Sequence, residues 1–219
     1  MENSIIKIGK LPQEVTIEFR KLKNNILQSL NNKSSCKSIM VASSTHGEGN
    51  SITTIYLSRV IAEESNSKVL LIDLNFRSKS RHYGNSKTKG VSEYLLEGVP
   101  LETTISQTEV ENLFVLTSGN KKCDLAQIIK SKGFSDLIDE LKNKYTYIII
   151  DSAPLQYYPE SIVLASKVDG VLLVIQAEEV RKQIVLDTKK KLSAVNANIL
   201  GIVLNRKKHY IPKSIYAYL

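Results

Sequence analysis

The sequence predicts an α/β fold: a mostly parallel β-sheet with helices on both faces. Three observations carry this expectation. Short β-branched runs recur along the chain and are apolar throughout, as strands buried on both faces must be. Segments of helical character separate them, the arrangement that joins parallel strands through crossovers. The chain has 219 residues, long enough to bury such a core without disulfides or a structural metal.

Each element follows from local pattern. Residues 14–30 set Ile17, Leu22, Ile26 and Leu30 toward one face and predict a helix. SIMVA (38–42) is the first strand, and Asn50–Glu64 a helix carrying Ile55, Leu57, Val60 and Ile61. KVLLID (68–73) is the second strand, and the polar, basic, Ser-rich residues 75–90 are a loop. A short helix over 91–97 and a strand that runs into a turn, NLFVLTSG (112–119), come next. Residues 133–142 form a helix, YTYIIID (145–151) a strand, and 159–167 a helix with Pro159 in its first turn, where its missing N–H is harmless. DGVLLVIQA (169–177) is a strand, 179–194 a basic helix, and ILGIVLN (199–205) the last core strand. With no repeat or low-complexity segment, residues 1–205 read as one domain and 206–219 as a basic, tyrosine-bearing tail.

Charge is spread unevenly. The net +8 resides in residues 181–219, which hold nine Lys/Arg and one acid, while the other 180 residues carry 21 charges of each sign. A second basic stretch lies between Asp73 and Glu93, with Arg77, Lys79, Arg81, Lys87 and Lys89 and no acid. Two patches, without a recognition helix, zinc-finger spacing or aromatic-laced sheet, argue against nucleic acid as a partner. Cys36 and Cys123 make neither a disulfide framework nor a metal quartet, which fits a reducing cytoplasm. No apolar run approaches the ~18–20 residues that span a bilayer, and residues 1–16 hold no secretory leader.

Chemistry concentrates at three places. SIMVASSTHGEGNSITTIYL reads strand, Gly-bearing loop, helix, the setting in which backbone N–H groups and a helix N-terminus cradle phosphate. Gly47, Gly49 and Ser51 match the end of a phosphate-loop pattern, with Asn50 where lysine is expected; His46 lies inside the loop and is a further candidate phosphate contact. LLID and YIIID then place Asp73 and Asp151 at strand ends, where ligands of open parallel sheets bind and where Mg²⁺ is held in phosphoryl-transfer sites. Taken singly, the loop reads equally as a helix cap and the aspartates as turn residues. In this order the three segments predict a P-loop NTPase-like sheet.

On these residues the chain resembles the bacterial tyrosine kinase family, cytoplasmic autokinase domains that partner polysaccharide chain-length regulators, within the deviant-Walker class of MinD and ParA ATPases. The resemblance runs from about Val15 to Leu219: SSTHGEGNS as phosphate loop, VLLIDLNFR as the second Walker-type motif, IIIDSAP as Walker B, and DGVLLVI and ILGIVLN as closing strands. It implies Mg²⁺ and ATP or ADP as cofactors, with Gly47, Glu48, Gly49, Asn50, Ser51, Ile52 and Arg77 around the nucleotide. It also implies Ser51, Asp73 and Asp151 around the metal, and Asp73 and Asp151 as catalytic carboxylates. Tyr210, Tyr216 and Tyr218 stand where the family carries its phosphoacceptor cluster, although a tail packed on the body explains them equally well. The implied partner is an inner-membrane chain-length (co-polymerase) protein that brings the chain to the inner face of the cell membrane.

The departures fall where chemistry would occur. The family's phosphate-loop lysine is Asn50, its D-x-D-x-R is Asp73-Asn75-Arg77, and its first-helix E-x-x-R-x-x-R, which docks subunits in a ring, is Ile17-Arg20-Lys23. Losing one charge of this kind should cost at least the ~10²–10³ in rate of a lost transition-state donor. The expectation is a degenerate member that regulates exopolysaccharide or capsule export with weak or lost activity. Two alternatives stand beside it: an active kinase with substitute cations from Arg77, Lys79, Arg81 or a neighbouring subunit, and a MinD/ParA-like positioning ATPase.

Overall fold

The computed structural model describes residues 6–30, 37–76, 83, 88–121 and 123–207. In chain order the elements are α1 (Gln13–Ser29), β1 (Lys37–Ser43), α2 (Asn50–Ser65), β2 (Val69–Asp73), α3 (Val91–Glu97), β3 (Ile105–Gln107), β4 (Leu113–Leu116), α4 (Leu125–Lys130), α5 (Lys132–Lys144), β5 (Tyr147–Asp151), α6 (Pro159–Ala165), β6 (Gly170–Gln176), α7 (Lys182–Ala194) and β7 (Ile199–Asn205). The strands form one seven-stranded sheet ordered β3-β4-β2-β5-β1-β6-β7. Every pairing is parallel except that of β3 with β4.

Successive residues of the central strands point to opposite faces and feed two cores. Met40, Leu70, Ile72, Ile148, Ile150, Val171 and Leu173 pack with Phe134, Leu137, Leu164 and Leu192 of α5, α6 and α7. Ile39, Val41, Leu71, Ile149, Leu172 and Val174 pack with Ile26 of α1 and with Ile55, Leu57 and Ile61 of α2. This two-sided burial explains why the strands lack polar alternation. Helix starts are fixed locally: Asp124 accepts from the Ala126 N–H at 3.0 Å and Ser131 from the Phe134 N–H at 3.1 Å.

Three readings need correction. Ile17 is exposed, whereas Leu22, Ile26 and Leu30 face inward as expected and Phe19 and Leu27 join them. ILGIVLN is an edge strand rather than a core strand, with Ile202 and Leu204 half or more exposed. Between the helix 91–97 and the helix 133–142 lie the three-residue strand β3 and the six-residue helix α4, both unpredicted. Ser131 ends α4 and caps α5, so the two helices share one break.

Phe134 is 1% exposed, so Phe134→Ala should lower the unfolding free energy by about 3–5 kcal/mol in urea titration. Leu186→Ala, at an exposed position of α7, should cost under ~1 kcal/mol.

Candidate functional site

The loop between β1 and α2 is built on two glycines in the left-handed region, Gly47 at φ 81° and Gly49 at φ 93°. Glu48 between them is buried and faces inward. Its Oε1 accepts from the Thr45 hydroxyl at 2.9 Å and from the Thr45 N–H, and its Oε2 from the Gln176 N–H at 3.2 Å. Asn205, at the end of β7, donates from Nδ2 to the Glu48 carbonyl at 2.8 Å. A Cβ at position 49 would lie 2.1 Å from that Nδ2, so any other residue there would push the Asn205 amide off the loop. The Glu48 carboxylate is therefore a brace for the loop, and with its carbonyl held by Asn205 only its N–H is left to meet a nucleotide. A cavity of about 410 Å³ opens before the loop, lined among others by Gly47, Asn50, Ser51, Ile52, Asn75 and Arg206.

The register of β2 on β5 sets Asp73 directly opposite Asp151. Both are buried, and their mutual proximity adds to the cost of ionising them. Burial first, then the charge of Asp151, pushes the Asp73 carboxyl up to about 7, against the Asn75 N–H at 2.9 Å and the Ser118 hydroxyl at 3.4 Å. Burial also raises Asp151, to about 6, opposed by hydrogen bonds from Tyr83, Ser51 and Asn50. The Tyr83 phenol donates to Asp151 Oδ2 at 2.6 Å and has the Ser51 carbonyl at 3.2 Å. Burial and the two aspartates push that phenol well above its usual range, so it stays protonated. Asn50 Nδ2 donates to Asp151 Oδ1 at 2.6 Å and to the Ser152 carbonyl at 3.0 Å. Its Oδ1 is buried with no hydrogen-bond partner. Ser118 is held in reach of Asp73 by the Ser92 N–H, 3.0 Å from its carbonyl. Beside it, Glu93 accepts the N–H groups of Gly90 and Asn120, each at 2.8 Å. Burial pulls the Glu93 carboxyl up, and those N–H donors outweigh it and leave it below the usual range.

The structure thus brings Gly47, Gly49, Asn50, Ser51, Ile52, Asp73 and Asp151 into one region. Arg77, Lys79, Arg81, Tyr210, Tyr216 and Tyr218 lie outside the described residues. His46 lines the cavity and stacks on Tyr157, ring centroids 5.0 Å apart. Arg20 and Lys23 both pair with Glu64 of α2 in the same chain. Burial pulls Glu64 up, and the two cations outweigh it and hold its carboxyl below the usual range. Sequence reading missed Tyr83, hidden in a patternless polar loop, and Asn205 and Arg206, read as the end of a strand and the start of the tail.

The residues fit the groups that the phosphate-loop pattern implies. The loop offers backbone N–H groups at a 16-residue helix N-terminus, and the paired carboxylates, raised chiefly by burial, are what a divalent cation would relieve. Among the described residues no cluster of three or more His, Cys, Asp or Glu exists, so Mg²⁺ here would rest on Asp73, Asp151 and Ser51 together with phosphate or water oxygens.

A parallel sheet bearing this loop and two strand-end carboxylates is a P-loop NTPase-like fold. A family profile described as "AAA domain" matches residues 36–200. The tyrosine-protein kinase CpsD of Streptococcus pneumoniae is 33% identical over 177 residues, 78% of this chain and 76% of that protein. The tyrosine-protein kinase YwqD of Bacillus subtilis is 28% identical over 211 residues, 95% of this chain and 88% of that protein. The crystal structure of the chimerical protein CapA2B2 superposes with a TM-score of 0.83 at 28% identity, covering 94% of this chain and 95% of that one. The chain belongs to the bacterial tyrosine-protein kinase family.

The carboxylate pair has a signed consequence for stability. Both groups bind their proton more tightly when folded, so from about pH 4 to about pH 7 the native state holds more protons and stability falls as pH rises. Asp73→Asn should raise the unfolding free energy by about 1–3 kcal/mol at pH 8 and change it little at pH 4. Urea titrations across that range test it; a difference between variant and wild type that is flat with pH would refute it.

Proposed function

We propose that the chain is a degenerate member of its family, regulating polysaccharide chain-length control and export as a nucleotide-responsive partner with phosphoryl transfer weak or lost. The observation that carries this is the hydrogen bonding of Asn50. At the lysine position stands an amide whose two donors are spent on Asp151 and the Ser152 carbonyl, leaving an acceptor oxygen buried beside the loop. A lysine would bring a full positive charge to the phosphates; this side chain brings none. Tyr83 caps the other oxygen of Asp151, and Asn75 replaces a carboxylate that could accept a proton.

In this reading Gly47, Gly49, Ser51 and Ile52 hold the phosphates, and Ser51, Asp73 and Asp151 hold Mg²⁺. Bound there, the metal would neutralise phosphate charge; the chain's own part is to orient the nucleotide and to keep water from the carboxylates. The tail from residue 206 carries Tyr210, Tyr216 and Tyr218 as the acceptors of any residual transfer. Recruitment to the inner face of the membrane would run through an inner-membrane chain-length protein; no described helix is long and apolar enough to cross a bilayer. Arg20 and Lys23, engaged on Glu64, are less available for the ring contacts that their positions imply.

The test is incubation of the purified chain with ATP and Mg²⁺, alone and with the cytoplasmic segment of its membrane partner, read by intact mass. Wild type should gain no more than trace phosphate. Asn50→Lys combined with Asn75→Asp should transfer at least ~10²-fold faster. Robust wild-type autophosphorylation that disappears in Asp73→Ala would establish an active kinase instead.

A further inference from the structure

The cavity is asymmetric. Asp73 and Asp151, on β2 and β5, flank the phosphate loop on one side, and β6 and β7 flank it on the other. From the β7 side comes Arg206, the only Lys or Arg among the described residues lining the cavity. Its backbone lies in the left-handed region at φ 56°, uncommon for a residue with a side chain. Asn205 holds that turn. Its Oδ1 accepts from the Arg206 N–H at 2.9 Å, its Nδ2 donates to the Glu48 carbonyl, and its own carbonyl accepts from the Ala177 N–H at 2.9 Å. The same residue that clamps β7 onto the loop therefore points the next side chain at the cavity.

The Arg206 guanidinium makes one neutral contact, Nη1 donating to Gln176 Oε1 at 3.2 Å. No carboxylate among the described residues pairs with it, so most of its donor fork and its whole charge are uncommitted. An unanswered cation, aimed by a strained turn at a cavity suited to an anion, has a ligand to meet.

We propose that Arg206 anchors the nucleoside end of a bound nucleotide, and that the chain binds ADP and ATP with nearly equal affinity. This rests on reading the cavity as a nucleotide site. With the terminal phosphates on the carboxylate side, where a Mg²⁺ held by Asp73 and Asp151 would set them, the nucleoside end lies toward β6 and β7. There the planar guanidinium can fork onto the α-phosphate or stack on the base. At the other end no Lys or Arg among the described residues lines the cavity to read a third phosphate, and both Asn50 donors are taken. Affinity then comes from the loop N–H groups and Arg206, which ADP and ATP use alike.

Calorimetric titration of the full chain with Mg²⁺ tests this, using ADP, a non-hydrolysable ATP analogue and inorganic tripolyphosphate as probes. The two nucleotides should bind within about threefold of each other. Arg206→Ala should weaken both by about tenfold or more and tripolyphosphate by less than about threefold, with the melting temperature unchanged. Arg206→Lys, which keeps the charge without the fork, should recover only part of the loss. The proposal falls if wild type binds neither nucleotide, if the ATP analogue binds at least tenfold tighter than ADP, if Arg206→Ala leaves ADP binding intact, or if tripolyphosphate binding declines in parallel. Since no probe allows transfer, these results are independent of the mass assay: an active wild-type kinase would overturn weak catalysis and leave the Arg206 result standing.

Discussion

Two carboxylates placed side by side at the buried ends of neighbouring strands constrain everything around the cavity. Parallel pairing of β2 and β5 leaves no freedom in this: the register that stacks Leu70 on Ile148 and Ile72 on Ile150 also stacks Asp73 on Asp151. A buried like-charge pair cannot ionise fully without a counter-charge, so the chain surrounds it with neutral donors. Ser118 and the Asn75 N–H serve Asp73; Asn50, Ser51 and Tyr83 serve Asp151. Asparagine at position 50 belongs to that arrangement. Its amide satisfies the carboxylate it faces, and the cost appears on its other atom, the unpartnered Oδ1.

The shape of the phosphate loop does not depend on that position. Glu48 ties the loop to Thr45 and to β6, and Asn205 ties it to β7 with an amide for which Gly49 leaves room. The residues that shape the loop are therefore separate from the residue that would charge it. A chain can lose the lysine without losing the loop, so a phosphate-loop pattern in sequence testifies to binding geometry more than to transfer.

The sequence shows most of the fold because burial on both faces writes long apolar runs, and it shows Asp73 and Asp151 because each ends such a run. What it conceals is position within the sheet. The run at 199–205 is as apolar as that at 170–176, yet β7 has a neighbour on one side only and exposes Ile202 and Leu204. Composition cannot distinguish an edge from a centre when a strand has no alternation. β3 is too short for any period to register, and Ser131, serving two helices at once, disguises their break. Phe19 rather than Ile17 faces inward because α1 meets α2 along the Leu22–Ile26 stripe. Tyr83 and Arg206 were illegible for a different reason. Their roles come from what lies across space, Asp151 for one and the cavity mouth for the other, and no local pattern encodes either.

Placing the charges in three dimensions also changes what the basic excess means. Arg20 and Lys23 are answered by Glu64 within the chain, while Arg206, counted in sequence with the tail, lines the cavity. The cavity therefore has positive charge at the side distant from the carboxylates and none at position 50. That placement bears directly on catalysis. A contact to the nucleoside end is made equally by bound substrate and by transition state, so it supports affinity and leaves the barrier to transfer unchanged. A contact to the transferring phosphoryl group is strengthened as charge develops there, and only that kind accelerates. On the proposed reading, with the first kind of contact at Arg206 and no charge at position 50, the site would retain the nucleotide and transfer it slowly, the behaviour suited to a component that reports nucleotide state to a partner.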